Sequence, residues 1–326
     1  MTTATPPGSA PPATEAKALS AVPSPRRRPR RTGRARGRRA GTGWWSVLFV
    51  APALALFALF VLWPLSQAVA TSFTSWDGFT DRVWIGGSNY SQLVHAPLFW
   101  SAVGHTLIYA VGTVVAKIVL GLGLALMVNH GIRAVAAYRS ILFLPVLMSF
   151  VAVGLLWGFM YDPALGLINS ALAHLGLHTG VAWLGSPSTA LLSIMIVDVW
   201  KWVGYHVVLL VAGLQLVRPD LYEAAKSDGA NAWSSFWHVT LPAMKTMIGL
   251  NVIIAFGGAL NAFDLVYVMT KGGPYHSTDT IMTYMYDQAF NQNHFGYASA
   301  VACALFLGVA LVTILQVRLL RSDYES

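Results

Sequence analysis

Glu223-Ala224-Ala225-Lys226-Ser227-Asp228-Gly229, followed by Leu241-Pro242, is a short polar segment set between two long apolar ones. Polar residues in such a place need a physical reason. The local signals read as two short helices joined at a turn. Pro219 fits a first helical turn, where its missing N–H is no loss, and Asp220 complements the positive end of the helix dipole. Gly229 can take the left-handed conformation that stops a helix. The second helix is expected from about Asn231, a capping side chain, with Trp233, Phe236, Trp237 and Leu241 on one apolar stripe. Pro242 then opens the next long apolar helix. Helices of about ten residues are marginal alone, so the pair must dock, either on a partner surface or as an amphipathic pair at a membrane interface.

The segment belongs to a chain of 326 residues, 56% hydrophobic and 10% charged, with a mean hydropathy of +0.57. This is too apolar for an ordinary soluble domain and indicates a polytopic helical membrane protein. The formal net charge of +8 is concentrated at one end. Residues 1–43 hold Lys17 and nine arginines between Arg26 and Arg39 against one acid, Glu15, whereas the rest of the chain carries eleven basic and twelve acidic residues. Residues 1–43 are rich in Pro, Ala, Ser, Gly and Arg without apolar periodicity, so a disordered basic tail is expected, one that touches anionic lipid or simply sets topology rather than binding nucleic acid. The single cysteine, Cys303, allows neither an intrachain disulfide nor a cysteine-based metal cluster.

Residues 44–326 are read as one six-span domain. Trp44 to Ser75 is a run of 32 residues without a charge, far longer than the apolar core of a cleavable signal, which is about 7–15 residues. A retained first span over 44–71 follows, with Trp44 and Trp45 as interfacial anchors. Further apolar runs at 103–128, 140–161, 190–215, 246–270 and 298–319 each approach the roughly 20 residues that a bilayer core requires. Basic residues in the alternate loops and at the end of the last span fall 17 on one side and 2, Arg82 and Lys271, on the other. By the positive-inside rule the Glu223–Gly229 loop, between spans 4 and 5, and both termini face the cytoplasm. A multi-pass protein of the plasma, or inner, membrane is expected.

Glu-Ala-Ala, with Gly four residues after the second Ala and a later Leu-Pro, resembles the cytoplasmic EAA loop of permease subunits of ATP-binding-cassette importers. The resemblance covers about residues 45–320. Trp84-Ile85-Gly86-Gly87-Ser88-Asn89-Tyr90 is similar to the first external loop of the carbohydrate-uptake subgroup. Phe263-Asp264-Leu265-Val266-Tyr267-Val268-Met269-Thr270 with Gly272-Gly273-Pro274 resembles the end of that subgroup's fifth span. Ala289-Phe290 with Phe295-Gly296-Tyr297-Ala298-Ser299-Ala300 resembles the beginning of its sixth. Two positions depart from the pattern: Lys271 stands where Gly is common, and His105 precedes Thr106 where Asn is usual. The resemblance implies an all-α membrane fold in which Glu223, Ala224, Ala225, Gly229, Leu241 and Pro242 form the coupling helix that sits on an ATPase. It also implies four partners: a second permease subunit, an ATPase dimer, an external solute-binding protein and a sugar-like solute.

No phosphate-binding Gly-x-x-x-x-Gly-Lys-Ser/Thr loop occurs, so if ATP drives the protein another subunit hydrolyses it, and no cofactor is expected. His-Glu-x-x-His and Gly-x-Ser-x-Gly are absent as well, and the nine His are scattered, which leaves an intramembrane enzyme without support. Four ionisable residues fall inside expected spans: Lys117, Asp198, Lys201 and Asp264. Such charges cost at least about 2.5–3.5 kcal/mol at a span centre unless paired or hydrated, so they should face protein. Asp198 and Lys201 are three apart and either pair with each other or serve the pathway. Lys117 has no partner on its own helix and requires an acid from elsewhere or a snorkel to the interface. Trp200, Trp202 and Tyr205 offer flat apolar faces with polar tips, fit either for a sugar ring or for an interfacial belt. Ser149, Asn261 and Asp264 complete the candidate pathway. The expected function is import of a sugar or oligosaccharide; the alternatives are the same architecture carrying glycerol phosphate or a polyamine, and a stand-alone secondary transporter.

Overall fold

The computed structural model describes residue 2 and residues 42–129, 135–177 and 180–322. The expected disordered tail, but for residues 2, 42 and 43, lies outside the described residues, as does Arg133. The chain divides into two units, residues 1–56 and 57–326. Besides residue 2, the described part of the first is helix α1 (Thr42–Phe57) up to Leu56.

The second unit contains a π-helical turn (Ala58–Leu62), α2 (Trp63–Ser72), a two-stranded hairpin of β1 (Thr74–Ser75) and β2 (Val83–Trp84), and α3 (Ser88–His95). There follow α4 (Pro97–Asn129), α5 (Val135–Leu147), α6 (Phe150–Met160), α7 (Leu167–His174), α8 (Ala190–Gln215), α9 (Pro219–Ser227) and α10 (Ala232–Ser235). After a π-helical turn (Phe236–Thr240) come α11 (Leu241–Ala243), α12 (Lys245–Leu260), α13 (Asp264–Thr270), α14 (Ile281–Tyr286), a third π turn (Asp287–Asn291) and α15 (Phe295–Ser322). Four stretches are long and apolar enough to cross a bilayer: Leu48–Ser72, Pro97–Val128, Ala190–Gln215 and Phe295–Leu319. Two more qualify if each bent pair is one span: Ser140–Leu147 with Phe150–Met160, bent by 103°, and Ala232–Ala243 with Lys245–Leu260, bent by 67°. The all-α, six-span expectation is met, with four spans long enough by themselves and two broken.

The departures are in the broken spans. The run 140–161 is interrupted at Met148-Ser149, where Pro145 weakens the end of α5 and the Ser149 hydroxyl caps α6 by accepting from the Ala152 N–H at 3.2 Å. The expected fifth span, 246–270, is two helices separated by Asn261–Phe263. Pro242 does not open that span; it lies in α11, and the span starts after the break at Met244.

Helix α8 is the hub. Its buried side packs on α4, α5 and α12, with Ile194, Val197, Val207 and Leu210 fully enclosed. Close approach is set by glycine: a Cβ on Gly204 would overlap the Leu142 carbonyl, and one on Gly213 would lie 2.6 Å from Met247 Cγ. Lipid offers no hydrophobic gain for helix association, so such tight contacts and internal polar bonds hold the bundle. Leucine, phenylalanine and valine accordingly point outward, as at Phe60, Val119, Phe159 and Leu307.

The quoted loop motifs have local physical roles. Asn89 donates from its side-chain amide to the carbonyls of Ser72 (2.8 Å) and Thr74 (2.9 Å), and the Tyr90 hydroxyl meets that of Ser72 at 2.7 Å, tying α3 to the end of α2. Asp77 closes the hairpin turn: the N–H groups of Thr80 and Phe79 bond its carboxyl and hold its pKa down at about 2. Gly272 has φ +85, and a Cβ there would overlap the Asp279 carboxylate. Lys271, at φ 51, is also left-handed, a conformation in which a side chain costs about 1 kcal/mol relative to glycine.

Candidate functional site

Both interruptions border one cavity of about 440 Å³, lined from α4 by Tyr109 and Lys117, from α8 by Asp198, Trp202, Tyr205 and His206, and from the first break by Phe150. Ile254, Ala255 and Gly258 of α12, Asn261, Ala262 and Phe263 of the second break, and Asp264 and Leu265 of α13 close it. Its size lies within the roughly 300–1,000 Å³ usual for small-molecule sites.

The charges within it are arranged across helices. Lys117 Nζ meets Asp198 Oδ2 at 2.5 Å, with both side chains buried. Among the described residues the ammonium is the partner of that oxygen, which makes no hydrogen bond of ordinary geometry. Lys201 does not pair with Asp198. Its ammonium, on a residue only 1% exposed, donates to the carbonyls of Pro145 (3.1 Å), Val146 (3.2 Å) and Met148 (2.6 Å). They lie at and just past the end of α5, at the negative end of its dipole, where the last carbonyls lack i+4 partners; that of Pro145 also accepts from the Met148 N–H at 3.2 Å. The same ammonium stands 4.9 Å from the Phe150 ring centre and 5.3 Å from that of Trp202, so Lys201 ties the break in α5–α6 to two rings of the cavity wall. His206 Nδ1 lies 3.0 Å from Asn251 Oδ1, while Asn251 Nδ2 donates to the Met247 carbonyl. The amide oxygen being the acceptor, the imidazole proton sits on Nδ1.

The expected pathway residues divide accordingly. Trp202, Tyr205, Asn261 and Asp264 share the cavity. Trp200 does not reach it; its ring stands edge-on to Trp157 at 5.4 Å in the core. Ser149 is spent on capping α6. Asp264 makes no ion pair or hydrogen bond among the described residues, and Asn261 donates to the Gly257 carbonyl, leaving its oxygen free to accept. Phe150, Phe263, His206 and Asn251 were not singled out in the sequence. Pro145 inside an apolar run was the available signal for Phe150.

The Glu223–Gly229 segment lies apart from this cavity, at the other end of α8. Helix α9 starts at Pro219 and ends in a Schellman motif: Ala230 N–H donates to the Ala225 carbonyl at 2.9 Å, Gly229 N–H to that of Lys226 at 3.1 Å, with Gly229 at φ +80. Asn231 Oδ1 accepts from the Ser234 N–H at 2.8 Å and starts α10. Tyr222 and Thr240 hydroxyls, 3.0 Å apart, fasten α9 to the following turn. Glu223, Ala224, Gly229 and Pro242 are exposed, Ala225 and Leu241 half-buried, and Trp233 is 70% exposed. No group of three potential metal ligands occurs among the described residues.

Spans broken around a cavity lined by aromatic and charged side chains are the arrangement with which membrane transporters hold a solute. The family model for the binding-protein-dependent transport system inner membrane component matches residues 117–322, and the chain belongs to that family. It is 33% identical over 277 residues to the multiple sugar-binding transport system permease protein MsmF of Streptococcus mutans, covering 85% of this chain and 95% of that one. It is 36% identical over 270 residues to the diacetylchitobiose uptake system permease protein NgcF of Streptomyces coelicolor, covering 79% and 76%. The fold is shared with a bacterial ABC transporter involved in import of the acidic polysaccharide alginate, at TM-score 0.76 and 23% identity over 86% of this chain and 96% of that one.

Proposed function

We propose that this chain is one permease subunit of an ATP-driven importer and that its cargo is an uncharged sugar or oligosaccharide. The cavity at the two broken spans is the observation that carries the reading. Its lining of Phe150, Trp202, Tyr205 and Phe263 offers apolar ring faces, while Asn261 and Asp264 offer acceptors for hydroxyl groups. Lys117 and Asp198 cancel each other, and Lys201 is committed to carbonyls, so an anionic cargo such as glycerol phosphate meets no unpaired lysine or arginine among the described lining residues. A polyamine would need more free carboxylates than Asp264 provides. The sugar-transport names of MsmF and NgcF support the same class.

Delivery falls to an external solute-binding protein, a reading that the family description supports, and ATP hydrolysis falls to a partner ATPase dimer, since this sequence has no phosphate-binding loop of its own. A second, related permease subunit completes the pathway. The excess of lysine and arginine on one side supports a cytoplasmic location for both termini and for α9–α10. There Glu223, Ala224, Ala225, Gly229, Leu241 and Pro242 form the unit that docks on the ATPase. The small side chains let α9 approach closely, and Gly229 fixes the angle to the next helix.

Asn261→Ala and Asp264→Ala test the cavity. Each removes about one hydrogen bond to a bound solute, so saccharide uptake by the reconstituted transporter should fall by up to tenfold, with all subunits still co-purifying. Normal uptake in both variants would mean that the solute passes elsewhere.

A further inference from the structure

Phe263 in the cavity wall is the first of a series of touching aromatic rings. It stacks on Tyr267 with centres 5.1 Å apart, and both rings meet Tyr286, at 5.2 and 4.8 Å. Tyr286 meets Phe290 at 4.8 Å, Phe290 meets Phe295 at 5.6 Å, and Phe295 meets Trp76 at 5.5 Å. The six rings come from four separate segments: the second break with α13, α14 with its π turn, the start of α15, and the β1–β2 hairpin. We propose that these rings form a binding track that leads an extended saccharide chain from the external loops into the cavity.

Three observations support this assignment. First, the rings are not core. Tyr109, Tyr284 and Tyr297 are buried, whereas Phe263, Tyr267, Tyr286, Phe295 and Trp76 are half-buried and Phe290 is 59% exposed. Second, the series is built to stay in place. The Gly296 N–H donates to the Trp76 carbonyl at 3.1 Å, and Gly78, at φ +90, leaves room for the Phe295 ring that a Cβ would enter. Third, polar groups flank it: the Asn291 side chain donates to Asp287 Oδ1 at 2.8 Å, both outside the core, and Arg82 lies 4.3 Å from the Trp76 ring at the outer end. Aromatic faces beside exposed hydrogen-bonding groups fit a chain of sugar rings, which is apolar on its C–H faces and polar at its edges. Rings of an interfacial belt anchor separate helix ends to lipid; here they touch in succession and begin inside the cavity.

The inference rests on the sugar-import reading and narrows the cargo to chains of several units. It is tested with the whole transporter in proteoliposomes, offered mixed malto-, cello- and chito-oligosaccharides of one to four units, with lumenal contents resolved by mass. In Phe290→Ala, loss of one ring face should raise the apparent KM about fivefold for tri- and tetrasaccharides and much less for monosaccharides. Phe290→Trp should restore it. An unchanged KM at every length overturns the track while leaving sugar import standing, as does an equal rise at all lengths that Trp does not rescue. Wild-type vesicles that take up no saccharide overturn sugar import itself, and the track with it.

Discussion

Lys201→Met is expected to abolish stable permease, with no comparable loss from lysine changes at the surface. The methionine keeps the length and apolar stem but removes the cation from three carbonyls at the end of α5. Among them the Val146 and Met148 carbonyls would lose their partner, and a buried acceptor left unpaired costs about 1–3 kcal/mol. Lys201→Arg should fail as well, since a site 1% exposed has no space for a guanidinium. The measurement is the yield of monodisperse protein in detergent together with its thermal unfolding midpoint. A Met variant with both at the wild-type value would show that the break in α5–α6 is held by packing alone.

The second large effect is expected at the Lys117–Asp198 pair. Lys117→Met or Asp198→Leu alone leaves an uncompensated charge within the bundle, a loss of about 3–5 kcal/mol. The double variant removes both charges and should recover most of that, because a buried pair replaced by apolar side chains is often neutral in stability. A double-mutant cycle on unfolding midpoints reads the coupling directly. Additive losses would mean that the two groups act independently despite their contact.

The parts that could be read in the sequence are those fixed by neighbouring residues. The apolar run 190–215 is α8 to the residue, because its length and lack of proline settle the matter locally. Gly229 and Asn231 likewise declared the turn between α9 and α10, each through its own backbone or side-chain chemistry. The breaks at 148–149 and 261–263 were hidden because hydropathy averages over a window, in which Ser149 and Asn261 are outweighed by their apolar neighbours. What satisfies the first break comes from Lys201, more than fifty residues further along the chain. The partner of Lys117 is equally remote in sequence. Trp200 and Trp202 show the remaining difficulty: two positions apart on a helix they point in different directions, one to the core and one to the cavity. Asp198, Lys201, Tyr205 and His206 recur at helical spacing and carry the phase of the helix: Trp202 lies on their side of α8 and Trp200 on the opposite side.

The most direct measurement is saccharide uptake into proteoliposomes containing this chain alone, compared with the chain plus its partner permease, the ATPase subunits and ATP, with the solute-binding protein outside. A permease subunit of an ATP-driven importer should give uptake only in the complete system, and that uptake should stop when ATP or the binding protein is omitted. Uptake by the single chain, driven by an ion or solute gradient and indifferent to ATP, would contradict the assignment and make this protein a secondary transporter.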